Sequence, residues 1–210
     1  MEPHMRYRLG LKSWATGALV LAAVTGCAGG TSPTTDPTTS PTPSASSSTT
    51  SAPPASPSEA ASSAASQKLR AYFATVDRLG QDATAALVPL DQVATSTQLS
   101  AERRLLKSQH GRGERQVGAT RVAQLKVQSV NLDNSDPSAG KVPTVVIDVC
   151  WDVSKVDVLS KGGESIVSAN RPDTGWTRYI VANYRYDANP SDGWRVAAGQ
   201  DLKRTPCAAS

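Results

Sequence analysis

Apolar and polar positions change their spacing several times along the 210-residue chain. Residues 14–24 are a predominantly apolar run, and residues 28–66 hold almost no large apolar side chain. Apolar residues then return at helical spacing: Leu69, Tyr72, Phe73, Val76 and Leu79 follow the i, i+3, i+4, i+7 pattern of one helix face. The spacing predicts a helix that grows out of an alanine-rich stretch after Ser58 and Glu59 and stops at Gly80. A short second helical piece is expected over residues 87–94, with Pro89 tolerated only in its first turn. A third helix is expected over residues 96–108, with Leu99, Leu105 and Leu106 inward, Arg103, Arg104 and Lys107 outward, and Gly111 and Gly113 ending it.

Beyond residue 116 the period falls from 3.6 to 2. Residues 117–132, 142–158, 176–187 and 193–199 are rich in Val, Ile, Thr, Trp and Tyr and predict four strands. Turn signals separate them: Asn134-Ser135-Asp136-Pro137, Lys161-Gly162-Gly163 and Asn189-Pro190-Ser191-Asp192-Gly193. Helices first and antiparallel strands after is an α+β order. In the second strand Val145, Ile147, Val149, Trp151 and Val153 share one face and Val146, Asp148, Cys150 and Asp152 the other. The apolar face must meet the core, so Asp148 and Asp152 are expected on the opposite side as surface carboxylates meeting Lys203 or Arg204.

The beginning of the chain carries a different message. Arg6, Arg8 and Lys12, the apolar run and the small residues before Cys27 have the three parts of an export signal. The run is about 11 residues long, against roughly 20 for a helix that spans a bilayer core. The V-T-G-C sequence at residues 24–27 resembles the bacterial lipobox. That resemblance implies a diacylglycerol on the Cys27 thiol and cleavage just before it. The expected division is therefore a signal at 1–26, a lipidated Cys27 with a Ser/Thr/Pro-rich disordered linker at 27–66, and one domain at 67–210. With Cys27 assigned to the lipid, Cys150 and Cys207 remain as an even pair in an oxidising compartment and are expected to be bridged. The resulting location is the extracytoplasmic face of a cell membrane, held by the lipid.

Charge narrows the partners. The formal net charge of +4 includes Arg6, Arg8, Lys12 and Glu2, and without them about +2 is left, which gives no nucleic-acid-binding excess. Seven basic residues lie between Arg103 and Lys126, either as a solvated face or as an attraction for anionic lipid heads or wall polymers. His110 is the one histidine after Cys27, so a zinc site or a Ser-His-Asp triad lacks parts, and no cofactor is expected. Trp176, Tyr179, Asn183, Tyr184 and Trp194 are either the lining of a pocket or the core aromatics of a domain with a single Phe. Both readings stay open.

The order of elements, with V-I-D-V-C-W-D-V-S at residues 146–154, G-W-R-V at 193–196 and Pro206-Cys207, resembles a group of actinobacterial lipoproteins with a nuclear-transport-factor-two-like domain. The resemblance implies a cone in which a curved, mostly antiparallel four-stranded sheet wraps the helices. Catalysts and non-catalytic binding domains both occur in that superfamily, so fold does not assign function. The expected function is a non-catalytic domain that binds a small ligand or another envelope protein. The rivals are an isomerase- or dehydratase-type enzyme using a cone pocket and a structural spacer.

Overall fold

A computed structural model describes residues 55–207. The expected export signal, Cys27 and most of the expected linker lie outside the described residues. Helix α1, Pro57–Gln81, opens on a capping box: Ser56 Oγ accepts from the Glu59 amide and the Glu59 carboxylate accepts from the Ser56 amide, with Pro57 at the first helical position. The helix therefore starts ten residues before the end of the tract assigned to the linker, and residues 57–66 are helix instead. The reason is compositional. Alanines at 61 and 65 fall on the same face as Leu69 and Tyr72, and all four are buried, so the stretch that looks featureless carries the first two turns of the core-facing stripe.

A 3-10 turn at Val88–Gln92 takes the place of the second helical piece. Helix α2, Ser96–Arg112, runs four residues past the expected end and closes on Gly113 in the left-handed conformation, which glycine adopts without a Cβ clash. Its inward face differs from expectation. Leu99 and Leu106 turn in, but Leu105 is 51% exposed, and the position between the two inward leucines is filled by Glu102. Leu99, Glu102 and Leu106 stand at i, i+3 and i+7, the same stripe, whereas Leu105 is about 100° around the helix from Leu106.

The strands are β1 Arg115–Val117, β2 Arg121–Asn131, β3 Thr144–Asp152, β4 Asp157–Leu159, β5 Thr174–Ala182 and β6 Arg195–Asp201. An antiparallel sheet in the order β2-β3-β5-β6 contains the four long strands, and β1 pairs with β4 in a separate two-stranded sheet. The long apolar run expected as one strand at 142–158 thus becomes two. Val153 bonds to the Asp173 carbonyl and the chain turns through residues 153–156 before β4 begins.

Register puts Val145, Ile147 and Val149 opposite Val181, Tyr179 and Thr177. These valines and Ile147 are fully buried against Leu69, Tyr72, Val93, Trp194 and Val196, so α1, α2 and the 3-10 turn cover one face of the four-stranded sheet. A smaller cluster of Leu79, Leu90 and Leu106 holds the two helices together. Slipping β3 by one residue would put the carboxylates of Asp148 and Asp152 where Ile147 and Trp151 now sit, which fixes the register. The protein is α+β, with two helices packed on antiparallel sheet.

Candidate functional site

The sheet face away from the helices carries a charge network centred on Asp148. Asp148, at the centre of β3, is only 1% exposed. Arg178, its register partner on β5, donates to both carboxylate oxygens at 2.7 and 3.0 Å, and Arg204 from the carboxyl-terminal segment donates at 2.6 Å. These two guanidiniums hold the Asp148 carboxyl below the usual carboxylate range. Arg204 also lies over the Trp176 ring at 4.3 Å, with Lys126 at 5.3 Å from the same ring. Three residues beyond Arg204, Cys207 is bonded to Cys150 on β3. The carboxyl-terminal strap is therefore stapled to the sheet by a disulfide, an ion pair and a ring contact.

Asp152 makes a separate pair. It accepts from Arg121 on β2 at 2.5 Å and from the Ser154 amide at 2.9 Å, and the hydrogen bonds from Ser154 and Arg121 keep its pKa low. Of the two partners expected for these carboxylates, Arg204 meets Asp148 and Lys203 stays exposed. Both aspartates face away from the helices but lie beneath their arginines and are buried, not open to solvent.

Beside this network the outer face opens into a groove of about 470 Å³. Val146, Ile180 and Ala198 form its floor, and Gln128, Arg178 and Gln200 stand at its rim. Ile180 is 40% exposed there. A bulge in β2 between Val127 and Ser129 turns Gln128 to this side.

On the helix side, one carboxylate is buried where leucine spacing calls for an apolar residue. Glu102 Oε1 accepts from the Tyr72 hydroxyl at 2.6 Å and from Gln98 Nε2 at 3.2 Å, while Gln98 also donates to the Tyr72 oxygen at 2.6 Å. Glu102 Oε2 is buried with no partner. Desolvation raises the Glu102 pKa, and burial beside that carboxylate raises those of Tyr72 and Tyr179. Phe73 stands edge-on to both Tyr72 and Tyr179, and the two tyrosine rings are tilted against each other. Asp148 and Asp152 were the carboxylates singled out by sequence; the one that faces the core is Glu102. Its signal was present as an acidic residue three after Leu99 and four before Leu106, on a face otherwise apolar.

The five aromatic and amide residues considered for a pocket do not share one. Trp176 lies on the outer face under Arg204, and Tyr179 faces inward to Tyr72 and Phe73. Asn183 is buried in the turn before β6, donating to the Asn189 carbonyl at 2.8 Å and accepting from the Arg185 amide at 3.0 Å. Trp194 is buried, donates to the Pro190 carbonyl at 2.9 Å and packs on Tyr186. Tyr184 is half-exposed, with its hydroxyl 3.3 Å from Ser96 Oγ. Of the basic cluster between residues 103 and 126, Arg103, Arg112 and Arg121 are ion-paired, to Asp91, Glu114 and Asp152. Among the described residues no helix is long and apolar enough to cross a membrane.

No family model matches the chain, and no curated protein matches it. It is similar to the solved structure of the intermembrane space region of the chloroplast protein ARC6, at 15% identity and a TM-score of 0.44. That likeness covers 66% of this chain and 93% of the other, and at such a distance it carries no argument about function.

Proposed function

We propose that the protein is a lipid-anchored, extracytoplasmic binding module. Cys27 would take the lipid, residues 28–55 would act as the tether, and the α+β domain would be a nuclear-transport-factor-two-like cone with its sheet curved around α1 and α2. The lipobox-like V-T-G-C sequence and the Cys150–Cys207 disulfide, which suits an oxidising compartment, support the location.

The observation that carries the binding reading is the open groove on the outer sheet face. An apolar floor of Val146, Ile180 and Ala198 lies beside hydrogen-bond donors on Gln128, Arg178 and Gln200. Asp148 is shared by two guanidiniums, which leaves one positive charge in excess beside it. The occupant that fits is an extended acidic segment of another envelope protein, with side chains alternating between the apolar floor and the cationic rim. A labelled peptide of alternating Glu and Val tests this by fluorescence anisotropy. Binding to the full chain should weaken on the order of tenfold or more with Ile180→Asp, which puts a like charge into the floor. Undiminished binding to that variant, or none to the parent chain, would contradict the reading.

A second reading, proton-transfer catalysis of the isomerase or dehydratase type, is favoured by the buried Glu102 beside Tyr72. It ranks lower because a general base must touch its substrate, and Glu102 Oε2 has less than 1 Å² of accessible surface. Deuterium exchange of the α-protons of a cyclic ketone, catalysed by the parent chain and abolished by Glu102→Gln, would reverse that order.

A further inference from the structure

A second groove, separate from the outer sheet face, lies between α1 and the start of β2. Its volume is about 450 Å³, and Arg70, Phe73, Asp77, Arg78, Thr120 and Arg121 are among its lining residues. Arg70 and Arg78 are eight residues apart on α1, a little over two turns, which places them about 12 Å apart along the axis on the same side. Among the described residues neither forms an ion pair or a hydrogen bond through its side chain. Arg121 on β2 also lines the groove, but its guanidinium is bridged to Asp152 on the sheet face away from the helices.

The groove's own carboxylate does not answer these arginines. Asp77 points to the β1–β2 turn and accepts from Gln116 Nε2 at 2.7 Å, the Thr120 amide at 2.8 Å and Thr120 Oγ1 at 2.9 Å. Gln81 adds a bond to the Gly118 carbonyl at 2.8 Å. Gly118 has φ +78°, and the Lys155 carbonyl oxygen lies 1.8 Å from where a Cβ would sit, so that turn admits no side chain there. Helix and turn are thus fixed to each other before any ligand arrives, which lowers the ordering cost of binding. What remains is a rigid trough lined by Arg70 and Arg78 on the helix, with Phe73 and Ala74 between them.

We propose that this groove binds a ligand bearing two or more phosphate groups. The guanidinium fork matches a phosphate with paired donors, and two such forks along one helix suit repeated oxyanions more than a single one. A soluble polyphosphate and the headgroups of an anionic phospholipid surface present the same chemistry, and the test separates them.

The probes are inorganic tripolyphosphate, titrated calorimetrically into the full chain, and phosphatidylglycerol vesicles in co-sedimentation, both in a Cys27→Ser background so that no acyl chain drives association. Arg70→Gln with Arg78→Gln should weaken binding on the order of tenfold or more. Arg104→Gln with Lys107→Gln removes the same charge from the exposed side of α2 and should weaken it by less than about twofold. Selective loss with tripolyphosphate assigns a soluble anion, and selective loss with vesicles assigns the headgroup. Equal losses in the two double variants, or no binding of either probe to the parent, overturns the proposal. Unliganded melting curves of both double variants show whether the fold is intact, and Ile180→Asp, which acts on the other groove, should leave both probes bound.

Discussion

Asp148→Asn isolates the outer-face network with almost no change in shape. The substitution removes the charge that draws together three hydrogen bonds, two from Arg178 and one from Arg204. Hydrogen bonds to charged groups contribute about 1.5–3 kcal/mol each when both partners are shielded. Here the carboxylate is buried, but the Arg178 and Arg204 side chains are 43% and 39% exposed. Solvent screens each pair toward the 0–1 kcal/mol of surface ion pairs, and the released guanidiniums rehydrate. The expected loss is therefore about 1–2 kcal/mol, or roughly 2–8 °C in Tm for a domain of this size. Linkage supplies a second readout. The Asp148 pKa is lowered on folding, so its contribution is fully present above the unfolded carboxyl value of about 4 and is lost as pH falls through the folded value. Urea denaturation followed by circular dichroism should show the full difference from the parent at pH 7 and a narrowing one from about pH 4 downward. A loss below about 0.5 kcal/mol at pH 7, or a difference that does not change with pH, would refute the reasoning.

Replacing Cys150 and Cys207 with serine removes a link across 57 residues of sequence and should cost about 4 kcal/mol in the chain-entropy model, measured by the same denaturation. Non-reducing peptide mapping of the parent should recover the two cysteines in one linked peptide. Glu102→Gln tests the buried carboxylate. Its pKa is raised by folding, so the parent loses stability as pH climbs from the unfolded carboxyl value of about 4 through the folded value, and the variant does not. The variant's stability relative to the parent should rise as pH climbs above the ordinary carboxyl value of about 4, and a flat difference would remove the account of Glu102 as a desolvated acid.

Much of the architecture was legible because periodicity is set by local geometry. The stripe from Leu69 to Leu79 and the two faces of β3 each follow from a repeat of 3.6 or 2 positions. The Cys150–Cys207 pair was legible from parity. Three features were not. Residues 57–66 look like linker because serine and alanine dominate, yet a capping box and two buried alanines are enough to start a helix that tertiary packing then holds. Leu105 and Glu102 exchange the places hydrophobicity assigns them, because Tyr72 and Gln98, one of them on another helix, supply the bonds that make a buried carboxylate tolerable. The scatter of Trp176, Tyr179, Asn183, Tyr184 and Trp194 over two sheet faces and a turn depends on register, which a list of residue types does not contain.

The reading of this chain as a tethered module outside the cell rests on Cys27, and intact-mass spectrometry of the chain extracted from a bacterial membrane tests it directly. The account predicts a polypeptide that begins at Cys27 and carries a diacylglyceryl adduct, and it predicts that Cys27→Ala abolishes both the adduct and membrane fractionation. A chain that starts elsewhere, or an unmodified Cys27 in protein that still fractionates with the membrane, would contradict it.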